Sequence, residues 1–145
     1  MSGDRAFFDT NVLLCMYGGD TSKVVRAKSL FRQYAQRGGL MLSTHVVQEF
    51  YMAGSRKLAM PYGILHEAAA RMLDLPIVII GPPHVRSAMD YEDRYRISFR
   101  DGLVLAAAES SGVEVVFSED LMDGQQYGKV MVRNPFHFPV EIPKN

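Results

Sequence analysis

Short apolar runs alternate along the chain with longer segments whose apolar residues recur every three or four positions. Arg5 to Asp9 is an apolar strand that ends on a carboxylate, and Val12 to Tyr17 predicts a helix of a turn or two, closed by Gly18-Gly19. Asp20, Thr21 or Ser22 can cap a second helix, in which Val24, Ala27, Phe31 and Tyr34 share one stripe while Lys23, Lys28 and Arg32 lie elsewhere. Gly38-Gly39 ends it.

Leu40 to Ser43 reads as the next strand, and Ser43 or Thr44 as the cap of a helix carrying Val47, Phe50 and Tyr51. Another helix spans about Tyr62 to Leu73. Pro76 introduces the β-branched run Ile77 to Ile80, which Gly81-Pro82-Pro83 breaks. Helices from about His84 to Tyr95 and Arg100 to Ser111 follow. Then come a strand over Val113 to Phe117 and an edge strand over Val130 to Val132. The Pro-containing stretch 134–145 reads as an extended tail of a single domain covering 1–145.

Strand alternating with helix predicts an α/β fold of three layers: a central, mostly parallel, twisted sheet with helices on both faces. In such sheets ligands bind beyond the carboxyl ends of the strands, where strand order reverses. The polar residues that end the strands are therefore the candidates for chemistry.

Composition narrows the picture only slightly. Among 145 residues, 16 are basic and 16 acidic, so no overall basic field draws nucleic acid and any such contact must be local. Cys15 is the single cysteine, which excludes an internal disulfide and a cysteine metal knuckle. No stretch reads as a secretion signal or a membrane span, and a cytoplasmic, reduced protein is expected.

Four acids fall where the fold rule points. Asp9 ends the first strand, and Asp120 follows the strand that closes with Phe117. Glu49 lies one to two turns into the helix after the second strand, and Asp101 opens a later helix. Each alone has an ordinary explanation, since Asp101 can serve a helix N-terminus and Asp120 a turn. As a converging set they would repel one another and take up protons, a conflict that a divalent cation removes. Ligands that are all oxygen suit magnesium or manganese.

Four segments carry a resemblance. Phe8-Asp9-Thr10-Asn11-Val12-Leu13-Leu14 resembles the opening motif of PIN domains. Ser43 to Tyr51, with Glu49 in the acidic position, is similar to the second motif, Arg100 to Ala108 to the third and Ser118 to Leu121 to the fourth. Their order and setting agree from about Phe7 to Pro135. The compact size and the turn from Asp120 to Gln125 resemble VapC-type toxins of bacterial toxin–antitoxin pairs. Arg100 departs from the pattern, because an aromatic is frequent there, and so does Gly102, where many relatives carry Ala.

The resemblance implies an endoribonuclease that hydrolyses RNA with a water activated by Mg2+ or Mn2+. On that reading Asp9, Asp101 and Asp120 are metal ligands, and Glu49 either binds metal or orients the attacking water. Asn11, Ser118 and Thr10 support the acids through hydrogen bonds, although Thr10 can equally cap the first helix. An antitoxin protein whose segment fills the groove beside the acids, and a homodimer, are implied as partners. A non-catalytic PIN-like module that binds RNA or protein is the alternative. A haloacid-dehalogenase reading fails because Asn11 stands where a second Asp is required, and Lys129 is misplaced for a receiver domain.

Arg100 and Arg96, close to Asp101, are the candidates for phosphate contacts, since arginine forks match phosphate oxygens. Arg56-Lys57 reads as surface charge. Asp123 reads as a turn residue, His45 as a capping or packing residue, and Cys15 and the scattered methionines as core.

Overall fold

Ala6, Phe7 and Phe8 are fully buried and form β1 (Ala6–Phe8), an interior strand of a six-stranded sheet. Neighbouring side chains on a strand point to opposite faces, so burial of both Phe7 and Phe8 requires helices on both sides of the sheet. The structure is a computed structural model that describes residues 4–137.

The elements follow as α1 (Thr10–Cys15), α2 (Thr21–Gln36), β2 (Leu40–Ser43), α3 (Thr44–Arg56), α4 (Tyr62–Leu73), β3 (Ile77–Val78), α5 (Pro82–Tyr95), α6 (Phe99–Ser110), β4 (Val115–Phe117), β5 (Gln126–Tyr127) and β6 (Val130–Arg133). The strand order is β3-β2-β1-β4-β6-β5, parallel except for the β5–β6 pair. From β1 the chain goes to β2 on one side and returns to β4 on the other. The crevice at the carboxyl ends of β1 and β4 is therefore the topological switch point.

Local chemistry accounts for the helix starts. Asp20 accepts from Ser22 N at 2.8 Å, Ser43 from Val46 N at 3.1 Å and Ser98 from Asp101 N at 3.0 Å, each satisfying an amide that a helix leaves unpaired. Pro82 and Pro83 open α5 rather than precede it, because their fixed φ suits a first turn and their missing N–H groups are not needed there. On one face of the sheet Phe8 meets Phe31, Tyr34 and Phe117 edge-on, with centroids 5.4–5.9 Å apart.

The α/β sandwich agrees with the hydrophobic pattern, but four details differ. The strand expected to reach Ile80 stops at Val78, because its partner β2 ends at Ser43 and Ile80 N donates instead to Thr44 Oγ1 at 3.1 Å. The strand expected from Val113 starts at Val115. The expected edge strand, β6, is an interior one, since β5 folds back on it across a Gly128-Lys129 turn whose glycine takes φ +59°. The expected extended tail instead turns at its start: the Asn134 side chain accepts from Phe136 N at 2.9 Å, and its carbonyl accepts from His137 N. Residues 138–145 of that tail lie outside the described ones.

Gly102 finds its reason in packing. α6 lies over β2, β4 and β6 and carries α5 on its outer side, and a Cβ on Gly102 would sit 2.6 Å from the Ala88 carbonyl oxygen of α5. Among the methionines, Met72 is core, whereas Met52 and Met89 are exposed rather than buried.

Candidate active site

The ends of β1 and β4 bring the first acid into place. Asp9 N donates to Phe117 O at 3.0 Å, so the ladder continues one residue past β1 and fixes Asp9 at the switch point, with no solvent exposure. Its carboxylate then caps α1, Oδ1 accepting from Thr10 N at 2.7 Å. The fully buried Ser118, one residue past β4, donates Oγ–H to Asp9 Oδ2 at 2.7 Å, and Asn11 Nδ2 donates to the same oxygen at 3.2 Å. Asn11 Oδ1 also accepts from Glu119 N at 3.0 Å, which ties the loop after β4 to α1.

That loop brings in Asp120, whose backbone N donates to Ser118 Oγ at 3.1 Å and whose carboxylate is half exposed. Asp101 enters from the first turn of α6, where the helix dipole favours an acid. One carboxylate oxygen each from Asp9, Asp101 and Asp120 lies within 4.8 Å of the others. Three acids from three separate elements thus share one crevice.

Glu49 stands beside them on α3. Thr10 Oγ1 donates to its Oε1 at 2.9 Å, so Thr10 positions the acid and Asp9 is the cap of α1. His45, one turn earlier, brings Nε2 to 3.4 Å from Glu49 Oε2. Burial disfavours the Glu49 charge, but hydrogen bonds and charge from His45 and Arg100 outweigh it and hold the pKa at about 2, below the usual 4.5. His45 therefore belongs to the site rather than to capping or packing alone, and its spacing of four residues from Glu49 on a helix was the signal. Its Nδ1 is buried without a hydrogen-bond partner.

Arg100 is the main departure from expectation. Instead of facing solvent to meet RNA, its guanidinium lies among the acids. Nη2 is 2.5 Å from Asp9 Oδ1 and 2.7 Å from Glu49 Oε1, Nε is 2.9 Å from the same Glu49 oxygen, and Nη1 is 2.9 Å from Asp101 Oδ1 and 3.8 Å from Asp120 Oδ2. Burial disfavours its charge, yet Asp9 and Glu49 more than offset this and push its pKa further up. The carboxylates thus draw a cation from within the chain, and their mutual repulsion does not by itself demand a metal.

The other candidates separate. Arg96 ends α5 in a left-handed conformation (φ 57°), exposed and not among the residues that line the crevice. Arg56 and Lys57, expected to be plain surface charge, line the crevice together with Glu49, Arg100 and Asp120. Arg56 lies two helical turns beyond Glu49, on the same face of α3. Asp123 stays a turn residue, accepting from Asn134 N at 2.8 Å. Cys15 is half-buried near Glu119, and burial pushes its thiol up to about 11, which makes it a poor nucleophile. The crevice beside the acids holds about 240 Å³. A larger and more apolar groove of about 720 Å³, lined by Val47, Tyr51, Tyr62 and Leu73 of α3 and α4, contains none of them.

The PIN domain family matches residues 6–122, most of the chain and all four acids. The chain belongs to the PIN domain family. Among curated proteins, no relative matches. Solved structures show the same fold at low identity. Mycobacterium tuberculosis VapC20, a toxin that cleaves the sarcin–ricin loop, is 20% identical with a TM-score of 0.64, covering 79% of this chain and 89% of its own. A toxin–antitoxin complex from Klebsiella pneumoniae is 18% identical with a TM-score of 0.68, over 90% and 97% of the two chains. FitAB bound to an IR36 DNA fragment is 20% identical with a TM-score of 0.70, over 93% and 98%.

The PIN site residues fit a divalent cation. Their donors are carboxylate oxygens only, and one of them is wholly buried. One oxygen from each lies within 4.8 Å of the others, close to the ~4.2 Å that two opposed ~2.1 Å bonds to Mg2+ would span.

Proposed function

We propose that this PIN domain is a metal-dependent endoribonuclease, the toxin of a toxin–antitoxin pair. The observation that carries the proposal is the gathering of Asp9, Asp101 and Asp120 at the β1/β4 switch point of a fold shared with VapC20, a toxin that cleaves the sarcin–ricin loop. On this reading those three acids hold Mg2+ or Mn2+. When bound, such an ion lowers the pKa of a water and stabilises negative charge on phosphoryl oxygens.

The chain's own groups have separate tasks. Ser118 and Asn11 hold Asp9 by Oδ2, and Thr10 and His45 hold Glu49 by Oε1 and Oε2. Glu49, charged down to a pKa of about 2, is placed beside the three ligands as the acceptor that orients the attacking water. Arg56 and Lys57, exposed at the rim, supply the local positive charge for the RNA backbone. Arg100 joins them when it is not engaged by the acids, whereas Arg96 does not line the crevice. An antitoxin partner, as in the Klebsiella complex, and self-association as a dimer in the cytoplasm belong to the same reading.

One observation favours a second reading. Because Arg100 neutralises the acids internally, a PIN domain without catalysis can keep them as a salt-bridge network that supports a binding module. Purified protein incubated with RNA and Mg2+ or Mn2+ separates the two. The nuclease reading expects cleavage that Asp9→Ala or Asp101→Asn abolishes, and a folded, metal-loaded protein that leaves RNA intact supports the binding module.

A further inference from the structure

We propose that Arg100 and the divalent cation are alternative occupants of one carboxylate cluster, so that the metal enters only as the guanidinium leaves. The inference rests on the reading that Asp9, Asp101 and Asp120 are metal ligands. The same three residues that offer oxygens to a metal surround one nitrogen of Arg100: Nη1 lies 3.2 Å from Asp9 Oδ2, 2.9 Å from Asp101 Oδ1 and 3.8 Å from Asp120 Oδ2. The remaining nitrogens take Asp9 Oδ1 and Glu49. A cation held by these three carboxylates would compete for the space that this nitrogen fills.

Three features make the exchange workable. Arginine keeps its charge at any physiological pH, so a competing cation rather than a proton must release it. Its side chain is 28% exposed and hangs from the first turn of α6 at the mouth of an open crevice, which gives it somewhere to go. Each contact it makes is charge-assisted, so leaving all four acids carries a real cost that the metal must meet. Arg100 thereby lowers the apparent metal affinity and keeps the metal-free protein folded around its acids.

The test uses the full chain after chelation and dialysis, titrated with Mn2+ by calorimetry. Arg100→Gln should bind Mn2+ about tenfold or more tightly than wild type, the scale of losing at least one charge-assisted hydrogen bond from the competing state. Without metal it should melt several degrees below wild type, and saturating Mn2+ should close that gap. Because Arg100→Gln risks unfolding when metal-free, the wild-type Arg100 Nε–H resonance provides an independent readout, identified by its loss in Arg100→Lys. It should shift and exchange faster as Mg2+ saturates the site. Equal or weaker Mn2+ affinity in Arg100→Gln, with binding abolished by Asp101→Asn, overturns the competition but leaves the metal site standing, as does an Nε–H resonance that Mg2+ leaves unmoved. Absence of Mn2+ binding in both wild type and Arg100→Gln overturns the competition and the metal site together.

Discussion

The Ser118 hydroxyl donates to Asp9 Oδ2 at 2.7 Å, joining the residue after β4 to the residue after β1 in a pocket closed to solvent. The same oxygen of Ser118 accepts from Asp120 N at 3.1 Å, so one side chain orients two of the acids. Ser118→Ala leaves a buried carboxylate oxygen short of a donor and is expected to cost about 1–3 kcal/mol. The urea midpoint should fall accordingly, and Mn2+ affinity should fall with it because Asp9 and Asp120 lose their common anchor. Ser118→Thr, which keeps the hydroxyl, should recover part of the affinity.

Glu49 gives a pH signature of definite sign. Its folded pKa is depressed to about 2 from an ordinary 4.5, so its contribution to stability is complete above pH 4.5 and is lost as pH falls toward 2. Wild type should therefore melt above Glu49→Gln at neutral pH, and the gap should close progressively through that acid window. A gap that is constant over the window would place the Glu49 interactions outside its ionisation.

Gly102 should not tolerate alanine. A Cβ would meet the Ala88 carbonyl oxygen at 2.6 Å, and backbone on both helices leaves no flexible side chain to yield. Gly102→Ala should destabilise by about 1–3 kcal/mol through overpacking, read as a lower denaturation midpoint. Nearby Asp101 should shift with α6, so a loss of metal affinity is expected alongside.

Arg56 and Lys57 should govern RNA affinity without touching the metal. Arg56→Gln with Lys57→Gln should weaken binding to single-stranded RNA and lessen its salt dependence by about 0.7 in log–log slope for each phosphate no longer neutralised. Calorimetric Mn2+ binding should stay near the wild-type value. A double variant with unchanged RNA affinity would remove the rim of this crevice from the RNA path.

The layered fold was legible because burial writes itself into spacing: Phe7-Phe8 alone requires cover on both faces, and the stripe through Ala27 and Tyr34 requires a helix. Asp9, Asp101 and Asp120 were legible as a group because each sits at the end of a strand or the start of a helix, positions that topology gathers at one edge. The destination of Arg100 was not. A residue at the second position of a helix can turn its long side chain outward or back over the first turn, and only the distances to Asp9 and Glu49, remote in sequence, decide between them. The β5–β6 hairpin escaped for a related reason, since strands of two to four residues joined by Gly128-Lys129 carry too little alternation to stand out. Arg56 was missed although its place two turns from Glu49 on α3 put it on the same face.

On the proposed function, Asp9, Asp101 and Asp120 are drawn together to hold a divalent cation. Anomalous diffraction at the manganese edge, from crystals of the wild-type chain equilibrated with MnCl2, addresses it directly. The expected result is one strong peak among the three carboxylates with the Arg100 side chain moved aside. A map without a peak there at saturating Mn2+, with Arg100 still held by Asp9 and Glu49, would contradict it.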